Sequence, residues 1–169
     1  ATGSNAYGAK GFIAAAAVAD LDGDGVNELI AAYYDVFVFD DAGELLDEAS
    51  FGDGRIYAPH VVADLEGDGV VEVVYGRGQE VWALEWRGGA LQPKAGWPQD
   101  TTTAGNSPEV RGMAAGDLDN DGLLEIVVTT TQTERSEDGG AQVFVYSVNG
   151  ELYQPADASF PAWPRYNDR

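Results

Sequence analysis

The sequence predicts an all-β chain assembled from a repeated unit of four short strands, and three observations carry that prediction. The acidic nonapeptide DLDGDGVNE, Asp20 to Glu28, returns as DLEGDGVVE from Asp64 and as DLDNDGLLE from Asp117. Every copy lies between apolar, strand-like runs. In addition, 22 glycines and 7 prolines punctuate clusters of Val, Ile, Phe and Tyr, a texture that favours short strands and tight turns over long helices.

The elements follow in the same order in each unit. A small apolar run comes first: FIAAAAVAD from Phe12, APHVVAD from Ala58 and RGMAAGD from Arg111. The nonapeptide is then a loop, and the second strand follows it as ELIAAYY, EVVYG or EIVVTTT. A third strand, a glycine turn and a fourth strand are read from VFVFDDAGEL at Val36, VWALEWRGGAL at Val81 and VFVYSVNGEL at Val143. The loops begin 44 residues (64 − 20) and 53 residues (117 − 64) apart, the size of a four-stranded propeller blade. The extra length falls between strands, in TQTERSEDGG from Thr131 and KAGWPQDTTTAGN from Lys94, where a blade tolerates insertion. The chain is thus read as one repeat array over residues 1–169, with blades at about 11–52, 53–104 and 105–169. Propellers close with about four to eight blades. The next loop aspartate would fall near position 179 (143 + 36), so further blades from the same polypeptide or another copy are expected.

Composition excludes several functions. The formal charge of −20 with only 9 Lys and Arg argues against a nucleic-acid surface. No cysteine is available for a disulfide, a thiolate site or a nucleophile. No apolar stretch reaches membrane-spanning length, and the first residues, ATGSNAYGAKG, resemble no secretory leader, so the chain as given is expected to be cytosolic or already processed. One histidine, His60, cannot supply a catalytic triad; beside Pro59 at a strand start it is read as structural. Trp82, Trp86, Trp97 and Trp163 are read as packing between blades, with stacking on sugar rings as the alternative.

The acidic loops are the candidate site. Positions 1, 3, 5 and 9 offer carboxylates, position 6 is glycine, and position 7 can add a carbonyl oxygen. The ligand sets are Asp20, Asp22, Asp24, Val26 and Glu28; Asp64, Glu66, Asp68, Val70 and Glu72; and Asp117, Asp119, Asp121, Leu123 and Glu125. Of the 29 acidic residues, 12 (3 × 4) lie in these loops, where converging like charges require a cation between them. A flexible all-oxygen set selects a hard ion and favours calcium over magnesium, so up to three Ca2+ ions are expected. An EF-hand would need Glu at position 12, where Ala31, Tyr75 and Val128 stand. Glu66, in place of Asp, is the irregular ligand, and the second loop is expected to bind calcium most weakly.

The triplicate D-x-[DE]-x-D-G-x-x-E resembles the FG-GAP (integrin-α-type) and VCBS repeats, and the resemblance covers nearly the whole chain. FGDG at Phe51 to Gly54 looks like the FG element. The GAP element is absent, YGRG standing at Tyr75 to Gly78. GWP at Gly96 and AWP at Ala162 also resemble the bacterial secreted variants. The resemblance implies a non-enzymatic, calcium-binding propeller segment of an extracellular or cell-surface protein, acting in adhesion, ligand recognition or assembly with a protein or glycan. A lectin-like carbohydrate binder and a propeller part of a polysaccharide lyase or hydrolase are the alternatives.

Overall fold

A computed structural model describes residues 12, 14–102, 108–131, 142–154 and 165–166. Among these the regular elements are all strands. The first sheet runs β1 (Ala17–Ala19), β2 (Glu28–Ala32), β3 (Val36–Phe39) and β4 (Leu45–Ala49). The second runs β5 (Val61–Ala63), β6 (Glu72–Arg77), β7 (Glu80–Arg87) and β8 (Ala90–Pro93), with β9 (Gln99–Asp100) also paired to β7. The third runs β10 (Val110–Gly116), β11 (Glu125–Thr130), β12 (Gln142–Tyr146) and β13 (Arg165–Tyr166). Strand order equals chain order along β1–β4, β5–β8 and β10–β13, and every pairing is antiparallel. Three such sheets packed face against face are the blades of a β-propeller.

The packing follows from the two-residue period of a strand. In the middle blade Val73, Tyr75, Leu84 and Trp86 point to the first blade, where Ile30, Val36 and Val38 meet them. Val74, Val81 and Ala83 point the other way, to Val110, Ile126, Val128 and Phe144. Both faces of β6 are consequently covered, and all six of its residues are buried. Each large side chain buried at these seams contributes about 1.5–3 kcal/mol. Gly76 lies at the tightest approach: a Cβ there would collide with the Val110 side chain.

The tryptophans divide between the seams. Trp82 and Trp86 pack in the first. Trp97 fills the second, its ring edge-on to Tyr146 and its Nε1–H donated to the Val148 carbonyl at 3.0 Å. Trp163 lies outside the described residues, as does the insertion from Gln132 to Gly140.

Candidate metal centre

Each acidic loop joins the first two strands of its blade, so the three lie at equivalent places in the array. Their internal bonding repeats. In the first loop Asp20 accepts the backbone N–H of Gly23 (2.7 Å), Asp24 (3.1 Å) and Gly25 (2.9 Å). Asp22 accepts Asp24 N–H at 3.1 Å, and Asp24 accepts Val26 N–H at 2.7 Å. Glu28, at the start of β2, reaches back to Leu21 N–H at 2.8 Å. The third loop copies this: Asp117 takes Asp121 and Gly122, Asp119 takes Asp121, Asp121 takes Leu123, and Glu125 takes Leu118. In the second loop Asp64 takes Asp68 and Gly69, Asp68 takes Val70, and Glu72 takes Leu65. The Gly69 N–H holds the Asp64 carboxyl below the usual carboxylate range.

The winding needs left-handed backbone twice per loop. Position 6 is always glycine: Gly25, Gly69 and Gly122 have φ of 89°, 87° and 94°. Position 4 was not singled out by the sequence reading, yet Gly23, Gly67 and Asn120 there have φ of 80°, 70° and 62°. Its signal was present, because Gly and Asn are the residues that tolerate this region.

Three carboxylates converge in the first loop, Asp20, Asp22 and Glu28, with oxygens all within 4.8 Å of one another; Asp117, Asp119 and Glu125 do the same in the third. Asp24 and Asp121 stand outside these trios, each bonded to the N–H two residues on, which fixes the peptides of Val26 and Leu123. Glu28 and Glu125 are only 6% and 4% exposed, and among the described residues neither pairs with a cationic side chain. A buried carboxylate needs a positive partner. Both trios therefore fit a hard divalent ion.

The second loop is different. Glu72 is fully buried, and the Nζ of Lys94, itself 5% exposed, lies 3.3 Å from it. The same ammonium lies 2.6 Å from Glu66 and 3.2 Å from Glu85 on β7. Burial favours the neutral amine, but the three carboxylates outweigh it and raise the Lys94 pKa above its ordinary value. Burial also pushes the Glu72 carboxyl up, against the Leu65 N–H and Lys94. Glu85 is held low, first by Arg87 and then by Lys94. Lys94 is the site residue that sequence reasoning missed.

Three loops with one bonding pattern, each between the first and second strand of a four-stranded blade, define a repeat that sequence comparison can test. Residues 64–128 match the FG-GAP-like repeat. This chain thus contains an FG-GAP-type repeat. The FG-GAP match runs from the first aspartate of the second loop into β11, so it spans both the second and third loops. No curated protein matches the chain in sequence. Two solved structures similar to it are those of BBS1N in complex with ARL6DN, one soaked with lead and one with mercury. Identity is 14% in both, over 86% of this chain and 56% and 57% of theirs, with TM-scores of 0.46 and 0.47. The chain thus spans little more than half the length of those chains.

Proposed function

We propose that this chain is a calcium-bound segment of a β-propeller in an extracellular or cell-surface protein, serving adhesion, ligand recognition or assembly and not catalysis. The observation that carries the reading is the pair of buried glutamates, Glu28 and Glu125, each closing a carboxylate trio with no cationic side chain beside it among the described residues. Asp20, Asp22 and Glu28 would hold one ion and Asp117, Asp119 and Glu125 another, with Asp24, Asp121 and the carbonyls of Val26 and Leu123 available to complete each set. Bound calcium supplies the charge that lets the carboxylates close around the turn. Millimolar calcium outside cells saturates even weak loops of this kind, which favours an extracellular setting. Excess EDTA should therefore lower both the melting temperature and the protease resistance; unchanged values for both would sink the reading.

A partner surface is also exposed. Val18, 64% exposed, sits opposite Leu29 on the face of the first blade turned away from the second. A further blade, from the same polypeptide or another copy, is the expected cover. The carbohydrate alternative draws support from a cavity of about 500 Å³ at the β6–β7 turn of the second blade, lined by Asp53, Gln79, Glu80 and Trp82 among others. Glycan-array binding abolished by Trp82→Ala would favour that reading; an array without signal would remove it.

A further inference from the structure

We propose that the second acidic loop carries its own cation: the ammonium of Lys94 occupies the place that an ion takes in the other two, so that the chain binds calcium at two loops and not three. The inference rests on the reading of the first and third loops as calcium sites.

An ammonium has three N–H donors, and Lys94 Nζ meets three carboxylates, Glu66 at 2.6 Å, Glu85 at 3.2 Å and Glu72 at 3.3 Å. The glutamate that closes each loop is buried in all three blades, yet only Glu72 has a cationic side chain beside it among the described residues. Finally, the second loop departs from its siblings at two positions that touch each other. Glu66 stands where Asp22 and Asp119 stand, and its extra methylene carries the carboxylate to Lys94. Counting five residues from the hairpin glycines Gly43, Gly89 and Gly150 gives Glu48, Lys94 and Pro155, so lysine occurs at that place in the second unit alone.

The Lys94 ammonium thereby neutralises the acidic loop of the middle blade, which is packed on both faces, without any metal. The second loop stays closed when calcium is withdrawn, and the outer two depend on it. The expectation of up to three ions becomes two, and the irregular Glu66 is a partner of Lys94 instead of a weak calcium ligand.

Calcium titration by calorimetry tests this on the whole chain and on Lys94→Ala. The wild type should take two ions, and the variant a third. Three ions in the wild type, or no gain in the variant, overturns the proposal. No binding by the wild type together with one ion in the variant would leave the Lys94 assignment standing and remove the reading of the other loops; no binding by either removes both. Should Lys94→Ala fail to fold, amine labelling of the wild type, which has only Lys10 as a second lysine, decides the matter. Lys94 should stay protected with and without calcium. Labelling of Lys94 that rises when calcium is added means the ion displaces it, and overturns the proposal.

Discussion

At the scale of single residues, the three loop glutamates look alike in sequence and should behave differently on substitution. Glu72→Gln leaves Lys94 held by Glu66 and Glu85 but weakens its third, fully buried contact, and is expected to cost about 1.5–3 kcal/mol whether or not calcium is present. Glu28→Gln removes a buried charge that has no cationic side chain beside it; without calcium it should be neutral or stabilising, and with calcium it should forfeit the stabilisation that the ion confers. Melting curves of both variants in EDTA and in calcium check this, and equal responses would contradict it. His60 gives a second residue-scale prediction. Burial holds its imidazole below the ordinary 6.5, its Nδ1–H donates to the Ala15 carbonyl at 3.1 Å, and Nε2 is enclosed without a partner. The unfolded chain takes up a proton near pH 6.5 that the folded chain refuses. Stability therefore falls as pH is lowered through 6.5, and the loss is complete below the folded value. His60→Asn should flatten the stability profile between about pH 7 and pH 5, with the melting temperature followed across that range.

At the scale of elements, the third strands were legible down to their opening residues: Val36 begins β3, and Val81 and Val143 stand second in β7 and β12. Apolar alternation fixes such strands because each face must meet a covered surface. What the pattern did not disclose is which strand lies against which. Gly76 reads as the end of the second strand EVVYG, with nothing to mark that β6 brings it against Val110 of the next blade. Gly76→Ala should force the second seam apart at a cost of about 1–3 kcal/mol, because a methyl group must enter a closed contact. Chemical denaturation would read that cost. A variant as stable as the wild type would mean that the seam yields freely.

At the scale of the molecule, the open face around Val18 and Leu29 is the feature that a propeller segment cannot leave bare. Phe37 and Phe39 pair with Ala31 and Leu29 on that same side, so the face is apolar across three strands. The isolated chain is expected to associate as its concentration rises, and Val18→Asp to suppress that association with little effect on the melting temperature. Sedimentation velocity distinguishes the outcomes. A wild-type chain that sediments as a compact, cooperatively folding monomer at every concentration would show that the face is tolerated in water.

The repeated unit is local in origin: three loops whose aspartates bond to amides only two to five residues away, and strands whose alternation sets their faces. Those interactions are local, so the order of residues contains them. Strand pairing, and not local sequence, brings a cationic side chain to the second loop. Lys94 is 28 residues from Glu66 and 22 from Glu72, and it arrives beside them because β8 pairs with β7 and β7 with β6. Charge neutralisation depends on distance in space. A lysine after the fourth strand of a blade announces nothing in sequence until pairing brings its ammonium within reach of three carboxylates.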